Sequence, residues 1–100
     1  MCGIAGILAP RGKVHTRAIE AMVRAIEHRG PDDRGVAHIE AGPGEIWLGN
    51  TRLAIIDLSP AGHLPMADAG SKNVIAYNGE IYNFEELRDF LTKKGHEFKT

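Results

Sequence analysis

A single cysteine directly follows the initiator methionine, and it is the residue of this sequence best suited to chemistry. Cys2 is the only cysteine among the 100 residues. Removal of Met1, which is usual before a small residue, would leave the thiol and a free α-amine on one residue. The amine titrates near ~8 and a thiol near ~8.5, so the amine can accept the thiol proton around neutral pH. Cys2 is a candidate nucleophile, although a lone cysteine is more often an inert small hydrophobic residue.

The stretch YNGEIYN carries a second candidate group, Asn78, Gly79 and Glu80. The Asn78 side-chain amide and the Gly79 backbone N–H can converge on one developing negative oxygen, as in an oxyanion hole. Glu80 could hold a cationic group beside them. Asn-Gly is also the strongest hairpin-turn dipeptide, so a simple turn stays open as the alternative.

Arg52 lies within an otherwise apolar predicted strand, NTRLAIID. A guanidinium in that position costs desolvation energy unless it has a partner, and its fork geometry suits the two oxygens of a carboxylate ligand. An internal ion pair with Asp32, Asp33 or Asp57 is an equally good explanation.

Composition excludes several classes of function. The formal net charge of −1 gives no footprint for nucleic acid. No apolar run approaches the ~18 residues that span a bilayer. One cysteine and no cysteine framework favour a reducing compartment, so we expect a cytoplasmic protein. No metal site is expected, because metal-ligand spacing is absent among His15, His28, His38, His63 and His96.

The elements that must position these residues follow from periodicity. Ile4, Ile7 and Leu8 indicate a short, largely buried first strand. A helix is predicted from Thr16 to about Glu27, ended by a Gly-Pro pair. Its apolar stripe comprises Ile19, Met22, Val23 and Ile26.

A hairpin is predicted next, with a tight turn at Gly42-Pro43-Gly44. Residues 59–72 have the composition of a loop, and a β-rich run resumes at residue 73. The candidate inward positions of the hairpin are Val36, Ile39, Ile46, Leu48, Leu53 and Ile55.

A second helix is predicted after Asn83, its N-cap, with Glu86 completing a capping box and Tyr82 packing against Leu87. Gly95 ends it, and residues 96–100 indicate the start of a further strand. This pattern suggests a fragment of a longer domain. The predicted buried stripe of the helix comprises Phe84, Leu87 and Leu91.

Five stretches in order, MCGIAGI, HRGPDD, TRLAIIDLS, GHLPM and YNGEIYNFEELR, resemble the start of glutamine-dependent asparagine synthetases, within the class II (N-terminal cysteine) glutamine amidotransferases. The resemblance covers essentially the whole chain. It implies an α+β Ntn-hydrolase fold, a four-layer αββα sandwich, of which residues 1–100 are the N-terminal part. The rest of that domain and a C-terminal synthetase domain would then be absent.

The resemblance also implies a reaction in which glutamine is hydrolysed and the ammonia passes to the synthetase domain, where aspartate is amidated. ATP and Mg are expected for that absent domain, and no cofactor for this segment. Carried over by position, Cys2 forms a γ-glutamyl thioester, and Asn78 and Gly79 stabilise the oxyanion. Arg52 would bind the α-carboxylate of glutamine, and Glu80 would help to receive its α-ammonium group.

The sequence departs from the family pattern in three respects. Asn50 stands where relatives commonly carry His, and Leu64 where they carry Gln. Neither position is assigned to catalysis. An Asp that also binds the α-ammonium group in the family would follow Thr100 and is absent. Two other functions stay open: a non-catalytic amidotransferase-like binding module, and an amide hydrolase or amidotransferase with a different substrate or acceptor.

Overall fold

A computed structural model describes residues 1–70 and 73–100 of the chain. Its centre is a three-stranded antiparallel sheet in the order β1-β3-β2, formed by β1 (Gly3–Pro10), β2 (Asp33–Ala41) and β3 (Gly44–Arg52). Strands β2 and β3 form the predicted hairpin, and Gly42 in its turn has φ +57, a conformation that favours glycine. With its helices, the described chain has an α+β fold, as expected.

The first helix, α1 (Thr16–Ala25), packs on one face of this sheet. Ile19 and Val23 are buried there, and both approach Gly49 of β3. Met22, predicted to belong to the same stripe, is 37% exposed at its edge. The α-helix ends two residues earlier than predicted, and a 3-10 helix at Glu27–Arg29 follows.

The sheet is covered by a helix on one face only. Alternate residues of β1 point to the opposite face, where Ile4 is 55% and Leu8 79% exposed. The prediction of a largely buried first strand is therefore wrong. The period of a strand places every second side chain on the uncovered face, and nothing in the described chain packs over Leu8.

Two of the inward positions predicted for the hairpin are wrong. Val36 is 42% and Ile55 59% exposed, and β3 ends at Arg52, so that Ile55 has left the sheet. Trp47, which was not among the predicted inward residues, is only 7% exposed because it lies on the face that α1 covers. The apolar core of the described chain thus consists of Ile19, Val23 and Trp47.

The second half contains short elements: a 3-10 helix at Pro60–Gly62, then β4 (Met66–Ala67), β5 (Val74–Ile75) and α2 (Phe84–Lys93). β4 and β5 pair antiparallel. The predicted loop 59–72 thus holds a short helix and a strand, and its last two residues, 71–72, lie outside the described residues. The predicted β-rich run is reduced to β5.

Helix α2 begins after Asn83 and ends before Gly95, which has φ +94, as predicted. Its predicted packing is wrong. Tyr82 is 95% exposed, the Asn83 side chain forms no capping bond, and α2 has no buried residue, because little of the described chain packs against it. Residues 96–100 form no strand. No helix in the described ranges is long and apolar enough to cross a membrane.

Candidate functional site

The thiol of Cys2 contacts the main chain that follows strand β3. The Leu53 N–H donates a hydrogen bond to the Cys2 Sγ at 3.3 Å, and the thiol lies 3.8 Å from the Leu53 carbonyl oxygen. The Cys2 carbonyl accepts a bond from the Arg29 Nε at 3.2 Å. These main-chain contacts hold the thiol at a defined position beside the end of β3.

Thr51 fixes the residue after the cysteine. Its side chain is fully buried, and its Oγ1 accepts from the Gly3 N–H at 3.1 Å while donating to the Ile26 carbonyl at 3.2 Å. Both bonds join β3 to a different part of the chain. Cys2 is thereby held through its thiol, its carbonyl and the N–H of the next peptide.

Arg52, the last residue of β3, lies directly before the Leu53 amide that contacts the thiol. Its side chain is 9% exposed. Its Nη1 donates to the Ser59 carbonyl at 2.8 Å, and its Nη2 donates to the Asp57 carbonyl. A side chain at Gly62 would collide with the guanidinium, so only glycine permits this approach. Among the described residues, no carboxylate forms an ion pair with Arg52.

The Asp57 carboxylate organises the loop that Arg52 contacts. Hydrogen bonds from the Ser59 hydroxyl, then the Thr100 hydroxyl and the Ser59 backbone N–H, lower the pKa of Asp57 from 3.8 to about 2. The positive charge of Arg52 contributes least to that lowering. The loop is therefore arranged around an ionised carboxylate.

The paired aspartates Asp32 and Asp33 tie this loop to the sheet. The Asp32 Oδ2 accepts from the Ala54 N–H at 2.8 Å, and the Asp33 Oδ2 lies 2.6 Å from the His63 Nδ1. In the part of the chain that the structure describes, no three His, Cys, Asp or Glu side chains are placed to hold a metal ion.

Asn78, Gly79 and Glu80 lie in the exposed segment between β5 and α2. The side chains of Asn78 and Glu80 form no hydrogen bond with any other described residue. The Tyr77 hydroxyl lies 2.9 Å from where a Cβ on Gly79 would be. The segment is joined to the sheet one residue earlier, because the Tyr77 N–H donates to the Asn50 Oδ1 at 3.0 Å.

The structure thus brings Cys2 and Arg52 together at the end of β3, and leaves Asn78, Gly79 and Glu80 out of hydrogen-bonding contact with them. It adds Arg29, Asn50 and Thr51, which the analysis of the sequence did not assign to the site. A signal for two of them was present: Asn50 and Thr51 stand beside Arg52 in the same unusually polar stretch of an apolar strand. Arg29 had no local signal, since its partner is 27 residues away.

Comparison with known proteins identifies the family. Residues 1–100 match the family model described as "Glutamine amidotransferase domain". A "Putative asparagine synthetase [glutamine-hydrolyzing] 2" of Methanocaldococcus jannaschii is 41% identical over 89% of the chain and 20% of its own length. "Asparagine synthetase [glutamine-hydrolyzing] 1" of Bacillus subtilis is 38% identical over the whole chain and 16% of its own length. No solved structure matches the chain significantly. The chain spans a fifth or less of these relatives, and it belongs to the glutamine amidotransferase domain family, in the form found in glutamine-hydrolysing asparagine synthetases.

Proposed function

We propose that this chain is the glutaminase part of an asparagine synthetase and that Cys2 is its nucleophile. One observation carries the proposal: the only thiol of the sequence lies against the main chain of Leu53, the residue that directly follows Arg52. A nucleophile and a carboxylate-binding group on adjacent structure are what an enzyme acting on an amino-acid amide needs. Met1 is 73% exposed, so a processing enzyme can reach it.

The reaction begins with proton transfer within one residue. Once Met1 is removed, the Cys2 amine takes the thiol proton and the thiolate attacks the side-chain amide carbon of glutamine. The Leu53 N–H stabilises the thiolate before attack. No histidine or aspartate partner is required, because the amine has a pKa of ~8.

The tetrahedral oxyanion is stabilised by Asn78 and Gly79, whose segment moves towards Cys2 when glutamine binds. The carbon–nitrogen bond breaks, and the nitrogen leaves as ammonia with the proton held by the Cys2 amine. The γ-glutamyl thioester is then hydrolysed by water to glutamate and free thiol. Arg52 has five N–H donors, of which two reach loop carbonyls, so others serve the substrate carboxylate, and Glu80 receives the ammonium group.

The ammonia is used by a synthetase domain of the parent protein. We propose that this domain binds ATP and Mg and amidates aspartate in the cytoplasm. The names of the relatives, and the 16–20% of their length that the match covers, support a second activity on the same polypeptide. A family member that delivers ammonia to a different acceptor is the alternative.

The uncovered sheet face supports the proposed four-layer αββα sandwich. Ile4 and Leu8 are exposed on this face, opposite the one covered by α1. A sheet with one apolar face open and the other under a helix forms two layers of such a sandwich. We propose that strands of the parent protein outside residues 1–100 form a second sheet over it.

The test uses the full-length parent enzyme and its Cys2→Ser variant. The serine variant is expected to lose glutamate release while keeping ammonia-dependent asparagine synthesis, because an alkoxide is far harder to generate than a thiolate with an amine of pKa ~8 as base. Undiminished glutaminase turnover in this variant would remove Cys2 as the nucleophile.

Intact mass separates the enzyme from a binding module. Loss of Met1 and one covalent adduct at Cys2 with a glutamine-mimicking diazoketone support the enzyme, whereas retained Met1 and no adduct support the module. Glutamine should compete with the adduct. Failure to compete would indicate an enzyme for another amide.

A further inference from the structure

The side chain of Asn50 connects strand β3 to the segment that carries Asn78 and Gly79. Asn50 is 0% exposed. Its Oδ1 accepts from the Tyr77 N–H at 3.0 Å, and its Nδ2 donates to the Thr51 carbonyl at 3.1 Å. Each end of the carboxamide thus has a partner, and one partner lies 27 residues away in sequence.

The bond to Tyr77 does more than satisfy the hydrogen-bonding capacity of a buried amide. Burying an amide costs free energy unless both ends are hydrogen-bonded, and a local turn could have met that need. Instead, the acceptor end of Asn50 reaches across to the main chain of Tyr77, the residue directly before Asn78. The Asn78 side chain has no hydrogen bond of its own to the described chain, so the Asn50 bond anchors the segment.

We infer that Asn50 is a positioning residue for the glutaminase reaction, an inference that rests on the proposed function. Its carboxamide fixes the Tyr77 peptide and so sets the direction in which the chain enters Asn78 and Gly79. Oxyanion donors act only when they lie about 2.7–3.1 Å from the developing charge. A displacement of about 1 Å in a positioning group can cost about 100-fold in rate.

The position of Asn50 along β3 lets its bond to Tyr77 affect the placement of Asn78 and Gly79 relative to the thiol. The next residues of the strand hold the Gly3 amide through Thr51, present the Arg52 guanidinium and direct the Leu53 N–H at the thiol. Asn50 therefore connects the segment that carries Asn78 and Gly79 to the same stretch of main chain that positions the nucleophile. The point from which the Asn78–Gly79 segment moves towards Cys2 is thus fixed, at Tyr77, to the strand that positions the nucleophile.

The experiment compares Asn50→Leu and Asn50→Asp with the wild type in the full-length enzyme. Leucine has a similar volume but leaves the Tyr77 N–H without an acceptor, whereas aspartate keeps an acceptor oxygen. For Asn50→Leu we expect kcat for glutamine hydrolysis to fall by about 10- to 100-fold, with a smaller change in KM. Asn50→Asp should recover most of kcat. Asn73→Leu is the matched control, because that asparagine bonds Asp68 in the β4–β5 turn instead.

Two further readouts separate positioning from general stability. Ammonia-dependent synthesis and the melting temperature of Asn50→Leu should stay close to those of Asn73→Leu. Hydrogen exchange of the Tyr77 amide should be slow in the wild type and in Asn50→Asp, and fast in Asn50→Leu. This measurement on the wild type decides the matter even if Asn50→Leu does not fold: rapid exchange of Tyr77 there overturns the inference.

The remaining outcomes are also decisive. An unchanged kcat in Asn50→Leu overturns the positioning role, as does a parallel loss of ammonia-dependent synthesis and thermal stability, or a failure of Asn50→Asp to recover kcat. If the wild type releases no glutamate, or Cys2→Ser releases it normally, the proposed function itself has failed. The kinetics of Cys2→Ser and of Asn50→Leu thus distinguish the two failures.

Discussion

The thiol of Cys2 contacts main-chain atoms of Leu53, and no side-chain base among the described residues hydrogen-bonds to it. The Arg29 guanidinium donates instead to the Cys2 carbonyl. The proton acceptor in the proposed reaction must therefore be the α-amine that removal of Met1 exposes.

In the proposed reaction, Asn78 stabilises the transition state rather than the bound substrate. We expect Asn78→Ala to lower kcat by on the order of 100-fold or more, with a smaller effect on KM, because an oxyanion donor acts mainly on charge that develops during reaction. Steady-state glutamate release by the full-length enzyme measures both constants.

Asn83→Ala supplies the control for this variant. Asn83 precedes α2 and its side chain makes no capping bond, so its loss should leave kcat unchanged. If Asn78→Ala raises KM and leaves kcat unchanged, Asn78 acts in substrate recognition instead.

Arg52 is expected to act on binding. Arg52→Ala should raise KM for glutamine by more than it lowers kcat, because a carboxylate clamp holds the substrate and transition state equally. Arg52→Lys should recover part of the affinity, since lysine keeps the charge but loses the two-pronged geometry. Arg11→Ala, which removes an exposed ion pair with Glu40, is the control. An unchanged KM in Arg52→Ala would leave the guanidinium with only its loop carbonyls as partners.

The loop after β3 is held by an ionised carboxylate, and its stability should depend on pH. The pKa of Asp57 is lowered from 3.8 to about 2, so the ionised form is favoured in the folded state. The stabilisation is present above pH 3.8 and is lost as the pH falls towards 2, where the folded state also takes up the proton.

A carboxyl-carbon NMR titration should show Asp57 titrating near pH 2 rather than near its ordinary value. The unfolding free energy of Asp57→Asn should lose the part of its acid dependence that Asp57 supplies between pH 4 and about 2. Asp89→Asn, on the exposed helix α2, is the control. An Asp57 titration near 4 would mean that the hydrogen bonds from Ser59 and Thr100 do not form.

The burial of a helix followed from its sequence pattern only where another element of the described chain packs against its apolar face. The period of Ile19 and Val23 predicted both the helix and its burial, because α1 packs on the sheet. Leu87 lies in an equally periodic helix and is 40% exposed, because periodicity predicts an apolar face and does not supply the element that covers it. Leu8 was likewise predicted to be buried from its apolar surroundings in the sequence, which do not show whether another element covers it.

The candidate site was predictable in its residue types and not in its connections. Cys2 and Arg52 were identified because a thiol beside the N-terminus and a guanidinium in an apolar strand are conspicuous. The role of Asn50 depends on a bond that spans 27 residues, to a segment after β5. The role of Thr51 depends on a bond that spans 48 residues, which the register of β1 against β3 brings into reach. Register is a property of the paired strands, so no local pattern contained it.

In the described chain, α1 covers one face of the sheet. The opposite face has a polar part at one end and an apolar part at the other. The polar end of that surface, at Asn50 and Arg52, is covered by the loop after β3 and by Tyr77. The opposite end leaves Leu8, which is paired with Ile46, exposed. The same strands therefore present the candidate site at one end and an uncovered hydrophobic surface at the other.

We expect a polypeptide consisting of residues 1–100 alone to release little or no glutamate and to self-associate, even after Met1 is removed. Unpaired sheet edges and an open apolar face favour association with other chains. Sedimentation and glutamate release should be compared with those of the full-length parent. A monomeric 1–100 chain with the activity of the parent would contradict this expectation.

The position of Leu8 allows a sharper form of the same prediction, because a charge there should have opposite effects in the two proteins. Leu8→Glu places a carboxylate on the open face, where the side chain is 79% exposed, and should reduce self-association of the 1–100 chain. In the full-length parent, the proposed second sheet would bury that charge, so the same change should lower the melting temperature. Val14→Glu, at a loop position that is 86% exposed, should be neutral in both proteins. If Leu8→Glu is equally neutral in the parent, the face that carries Leu8 is open to solvent there too, and the second sheet must pack elsewhere.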